Sequence, residues 1–204
     1  MTGAPRGGRR SLLIELAVVT AAVLVACRLL MTVRGIVSGP WFLTDFLTTS
    51  IYIVLLYVPI EVMLRRGRPM DFLDRGAAQV ARSVAAFAVA AIVIFPPFVV
   101  AAHLWQGMFG MRFAGVAELP ALPFVAWTVL IVAPVEEFFF RGYFQSAMNR
   151  ICRRRWRFLG ARFGWGLVIT ALVFAFAHSV IFFRWWHFSI FFPALVFGYL
   201  RERT

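Results

Sequence analysis

Residues 122–144 read Leu-Pro-Phe-Val-Ala-Trp-Thr-Val-Leu-Ile-Val-Ala-Pro-Val-Glu-Glu-Phe-Phe-Phe-Arg-Gly-Tyr-Phe. As a helix rising about 1.5 Å per residue, the stretch is long enough to cross a hydrocarbon core about 30 Å thick. Yet it holds three charged side chains, Glu136, Glu137 and Arg141. A charge inside a span is costly and marks a functional site by default. These residues therefore set both the medium in which the chain folds and the place to look for chemistry.

The rest of the chain agrees about the medium. Of its 204 residues, 62% are hydrophobic and only 15% are charged. Mean hydropathy is +0.83. Soluble domains are about half apolar and about a quarter charged. Disorder, a collagen-like chain, a disulfide scaffold and most soluble enzymes are excluded. Six apolar runs stand out, at 12–33, 42–64, 83–105, 122–144, 163–183 and 185–200. Pro96 and Pro97 should kink the third. The expected fold is an all-α, polytopic integral membrane helix bundle of about six transmembrane helices. Only Arg184 separates the last two runs, so their turn should draw on the aromatics at 181–186, a composition suited to the membrane interface.

All 21 basic residues are arginine, and nine acids leave a net charge of +12. Sixteen arginines flank the spans on one side, and only Arg34, Arg112 and Arg184 lie on the other. Arg28 and Arg141 fall inside spans. Such asymmetry in strict alternation places the N-terminus and the Arg-rich 150–162 loop in the cytoplasm, with the 107–120 loop outside. It also reads the 153–155 arginine cluster as a topology anchor, with no nucleic acid partner. The opening arginines before residue 12 imitate a signal peptide, but the apolar run continues through Arg28 to Val33 and is long enough to span uncleaved. Cys27 and Cys152 fall near opposite faces and should not pair.

Glu137 and Arg141 are four apart, one helical turn, and can form an ion pair. Glu136 lies about 100° further round the helix and is harder to neutralise that way. A carboxylate held away from water is a stronger base, which suits general-base duty near neutral pH. The fifth run supplies His178, with Phe174 one turn before it. Glu136 precedes Asn149 by thirteen residues, and His178 follows Trp165 by thirteen. Each side chain should then sit about 20 Å from the cytoplasmic face, so adjacent antiparallel spans bring carboxylate and imidazole to one level. A Glu-His pair around a water is a workable hydrolytic site.

At these residues the chain resembles a known family. Glu136-Glu137-x-x-x-Arg141 on one span and Phe174-x-x-x-His178 on the next resemble the first two motifs of the CPBP family, the CAAX prenyl endopeptidases and related bacterial intramembrane (Abi) proteases. Pro134 before the acids and Gly142 after Arg141 match as well, as does the closing stretch 192–204. The resemblance covers about residues 122–204. It implies an intramembrane glutamic endopeptidase in a bacterial inner membrane, acting near the C-terminus of membrane-anchored or lipidated proteins, with the myxosortase type as one candidate. By the same resemblance Glu136 activates the attacking water, His178 positions or deprotonates it, and Glu137 and Arg141 organise the site. No cofactor and no metal are expected. The chain lacks His-Glu-x-x-His, and two adjacent glutamates with one histidine are a poor zinc set.

The resemblance also implies a later His-x-x-x-Asn motif to stabilise an oxyanion. His187 is followed four residues on by Phe191, so it does not fit and reads as an interfacial residue, like His103. Residues 1–121 are accordingly expected to be three N-terminal spans, and 122–204 a catalytic core truncated before a further helix and inactive as it stands. Glu61 and Arg65 read as a solvated pair, and Glu15 and Asp45 as residues near span ends without a role. Two other classes compete: a non-catalytic relative such as a bacteriocin-immunity or scaffold protein, and a small transporter.

Overall fold

The computed structural model describes residues 8–37, 39–69, 76–108 and 122–203. Arg6, Arg75, Arg112, most of the expected outward loop at 107–120, and Thr204 lie outside them. Helix α1 runs Arg9–Ile36, α2 Trp41–Arg65, α3 Ala77–Met108, α4 Leu122–Ile151, α5 Trp165–Phe182 and α6 Phe191–Arg203. A 3-10 turn, Trp185–Ile190, leads into α6. Among the described residues, five helices are long and apolar enough to cross a membrane: α1, α2, α3, α4 and α5. The chain is an all-α polytopic membrane protein.

The sixth apolar run differs from expectation. Instead of one span it is divided into the 3-10 turn and the 13-residue α6. Thirteen residues of α-helix reach only about 20 Å, short of the hydrocarbon core. The boundary has a physical cause. Helix α5 stops at Phe183, which adopts a left-handed conformation (φ 53°) and donates its N–H to the Ser179 carbonyl. Arg184 N–H donates to the same oxygen at 3.1 Å. This is the usual way a helix ends, here with phenylalanine where glycine is common. Arg28, the intramembrane arginine of α1, donates from Nη1 to the Ile181 carbonyl at 2.9 Å and lies over the Phe183 ring. It places a cation at the negative end of the α5 dipole.

The described residues form two compact units, one of α1, α2 and residues 132–203, the other of α3 and residues 122–131. The first has a continuous core. Leu16, Val23 and Cys27 of α1 and Ile51, Leu55 and Met63 of α2 are buried in it with Phe139, Phe140, Tyr143 and Met148 of α4. Leu167, Ala171 and Phe174 of α5 and Ala194 of α6 are buried too. Near the start of α1, Glu15 forms ion pairs with Arg66 Nε at 2.9 Å and Arg68 Nη1 at 2.8 Å, tying α1 to the end of α2. Glu61 and Arg65 form the expected pair at 2.6 Å. Cys27 and Cys152 are both free thiols. In the second unit, α3 runs as one helix through Pro96 and Pro97.

Two features depart from plain α-helix. Helix α4 contains two π-helical stretches, Thr128–Val132 and Phe138–Gln145. Pro134, which follows the first, has no N–H to offer the preceding turn, and proline at such a point shifts the hydrogen-bond register. The Arg-rich loop between α4 and α5 is also a small antiparallel hairpin, β1 Arg155–Phe158 and β2 Ala161–Gly164. Arginines and aromatics alternate along it, a period-two pattern that the reading of this loop as a simple topology anchor passed over.

Candidate active site

The two acids stand on the turn of α4 between its π-helical stretches, and wide π turns are often found at functional sites. His178 lies in the last two turns of α5. The helices bring the pair together: His178 Nε2 is 3.8 Å from Glu136 Oε1. Both side chains are largely shielded, the imidazole 16% and the carboxylate 25% exposed. The other ring nitrogen, Nδ1, is 3.1 Å from the Phe174 carbonyl. A carbonyl can only accept, so Nδ1 carries the proton and Nε2 of the neutral ring presents a lone pair towards Glu136.

Phe174, one turn before the histidine, holds the imidazole in two ways, and only the second needs an aromatic. Its carbonyl sets the tautomer and its ring backs the imidazole, with centroids 4.4 Å apart. Its ring also lies 4.5 Å from the Arg141 guanidinium carbon and packs edge-on against Phe140. Arg141 is nearly enclosed. Nη1 reaches Glu137 Oε1 at 3.4 Å, and Nη2 donates to the Ala194 carbonyl at 3.1 Å. The guanidinium thus links α4, α5 and α6 while leaving Glu136 outside its ion pair. The buried thiol of Cys27 on α1 lies within electrostatic reach of Glu136.

The Arg141 bond to α6 is the first rung of a ladder. Gln145 Nε2 donates to the Gly198 carbonyl at 3.1 Å and to Glu202 Oε1 at 2.7 Å. Asn149 Nδ2 donates to the same Glu202 oxygen. Arg141, Gln145 and Asn149 are spaced by four, as are Ala194, Gly198 and Glu202, so two helix faces run in register. Arg155 closes the far end, with Nη1 donating to Asn149 Oδ1 at 2.9 Å and lying 3.7 Å from Glu202 Oε2. Sequence reasoning did not single out Gln145, Asn149 or Glu202 as site residues; the spacing of Gln145 and Asn149 from Arg141 was the available signal, and Glu202 offered none. His187 sits against Phe182, whose ring neighbours His178. His103 is exposed on α3. Among the described residues, no three His, Cys, Asp or Glu side chains converge as metal ligands would.

Residues 118–204 match the family model described as type II CAAX prenyl endopeptidase Rce1-like. Over this stretch, less than half of the chain, the sequence is similar to that family. The resemblance carried by Glu136-Glu137-x-x-x-Arg141 and Phe174-x-x-x-His178 is thereby borne out at the level of the family. The Rce1-like stretch holds all four candidate site residues and the whole α4–α6 ladder. No curated protein and no solved structure matches the chain. The match supports a CAAX-type intramembrane protease as the kind of function.

Proposed function

We propose that this chain is an intramembrane glutamic endopeptidase, with Glu136 as the base that activates water and His178 as its partner. The observation that carries the reading is the 3.8 Å separation of His178 Nε2 from Glu136 Oε1, with Nδ1 committed to the Phe174 carbonyl. That separation is too long for a direct hydrogen bond. It is short enough for one water to donate a proton to each acceptor, which leaves the oxygen lone pairs free to attack. Glu136 takes one proton as the oxygen bonds to the peptide carbonyl carbon. The resulting oxyanion collapses, the C–N bond breaks, and the proton held by Glu136 passes to the leaving nitrogen. The products are a new carboxylate and a free amine. Glu137 and Arg141 are positioning residues that hold the Glu136 turn against α5 and α6.

The substrates are membrane-anchored or lipidated proteins cleaved near their C-termini, and the setting is a bacterial inner membrane with the N-terminus in the cytoplasm. A C-terminal sorting anchor of the myxosortase type is one such substrate. The test is hydrolysis of a C-terminal membrane-anchored reporter peptide by the purified protein, expressed from its complete gene, in vesicles made up in ¹⁸O-water. Label should enter the new carboxylate. Glu136→Gln keeps the shape and removes the base, and should slow turnover by about 100- to 10,000-fold, with His178→Ala also severely impaired. A Glu136→Gln protein that cleaves at the wild-type rate refutes the assignment.

A further inference from the structure

The hairpin between α4 and α5 presents an arrangement that the proposed chemistry does not use. Arg157 and Arg162 are direct cross-strand partners, so their side chains leave the same face of the ribbon side by side. Like charges directly opposite one another destabilise a two-stranded ribbon. Both arginines are exposed, and among the described residues neither has a carboxylate within 4.0 Å. Among the described residues, the acid that the hairpin engages, Glu202, is taken by Arg155. Arg157 and Arg162 border a shallow concavity completed by the turn residues between them. Exposed Arg153 and Arg154 add to the same unbalanced charge, and the Arg154 guanidinium lies over the Trp156 ring.

The turn itself points to the source of an anion. Phe158 is 60% exposed and Leu159 69% exposed at the tip. Leu159 has φ 43° and Gly160 φ 86°. Positive φ at both central positions is the type I′ hairpin turn, where asparagine or aspartate normally occupies the first site. A bulky apolar residue is strained there. The Tyr199 hydroxyl of α6 pins the turn, its one proton shared in a bifurcated bond between the carbonyls of Phe158 and Leu159 at 3.0 and 2.9 Å. The fold thus holds an apolar tip beside paired cations, on a ribbon attached directly to the ends of two membrane helices. Water offers that tip nothing, whereas the headgroup and acyl boundary of a leaflet offers both phosphate and hydrocarbon.

We propose that Arg157 and Arg162 clamp the phosphate of an anionic phospholipid headgroup, with Phe158 and Leu159 seated in the acyl boundary beside it. The anion removes the repulsion between the paired arginines, and the tip supplies the apolar contact that a free phosphate lacks. The test titrates the full chain in non-ionic detergent with phosphatidylglycerol, phosphatidylcholine or inorganic phosphate and follows the thermal unfolding midpoint. Phosphatidylglycerol should raise the midpoint saturably, and the other two should not. Arg157→Gln with Arg162→Gln should weaken the phosphatidylglycerol response about 30-fold, the contribution of two arginines at an anionic surface. Without lipid, that variant should unfold at or above the wild-type midpoint, because the repulsion is gone. Leu159→Asn should likewise raise the lipid-free midpoint and weaken the lipid response. Three results would overturn the proposal: an unchanged lipid response in the double variant, a wild-type response to inorganic phosphate equal to that for phosphatidylglycerol, or a lower lipid-free midpoint for either variant.

Discussion

Replacing Arg141 by methionine tests whether the guanidinium organises the site or merely occupies it. Methionine roughly conserves the apolar stem and removes the charge. Besides a distant contact with the Phe197 ring at 6.0 Å, three interactions are lost. The bond from Nη2 to the Ala194 carbonyl is charge-assisted and buried, worth about 1.5–3 kcal/mol. The contact with the Phe174 ring is shielded from water and adds up to about 2 kcal/mol. The Glu137 pair adds less, because Glu137 is 36% exposed while Arg141 is 3% exposed, and screened pairs are worth about 1 kcal/mol or less. Against these losses, a buried cation no longer has to be desolvated. The net cost should fall near about 3 kcal/mol, the lower end for breaking a buried pair. For a chain of this size that lowers the unfolding midpoint by about 6–12 °C. Thermal unfolding of purified protein in detergent measures it, with Arg34→Ala, an exposed arginine outside this network, as a control that should move little. If Arg141→Met unfolds within about 2 °C of wild type, the three-helix link carries no stability and the reasoning fails.

Reporter fusions should give a cytoplasmic signal at Arg155 and an external one at Gly115; a cytoplasmic signal at Gly115 would overturn the arginine-based topology. Gly166→Ala should cost about 1–3 kcal/mol in detergent unfolding, because the new methyl would run into Asn149 Oδ1 and lie 3.1 Å from its backbone nitrogen while Glu202 and Arg155 hold Asn149 in place; an unchanged midpoint would mean that Asn149 is free to give way. Chelators should leave peptide cleavage unchanged, since two adjacent glutamates and one histidine are a poor zinc set; loss of activity on chelation that a divalent metal restores would refute the metal-free mechanism.

Hydropathy and charge alone were enough to establish a membrane helix bundle, because the bilayer admits few solutions. A buried backbone must satisfy its own hydrogen bonds, so long apolar runs become helices. Periodicity and depth went further and put Glu136 and His178 at one level, since helical rise converts residue counts into distance. Other features were out of reach of such counting. The division of the last apolar run depends on Phe183 entering the left-handed region and on Arg28, 153 residues away in sequence, capping α5. The Arg141–Gln145–Asn149 ladder depends on which face α6 turns towards α4, and helix faces in an all-apolar environment carry no strong sequence signal of their partner. The pairing of Arg157 with Arg162 follows from a hairpin register set by a two-residue turn. One-dimensional patterns report what each segment wants from its solvent, while the tertiary structure decided which polar groups, having no water to turn to, would find one another.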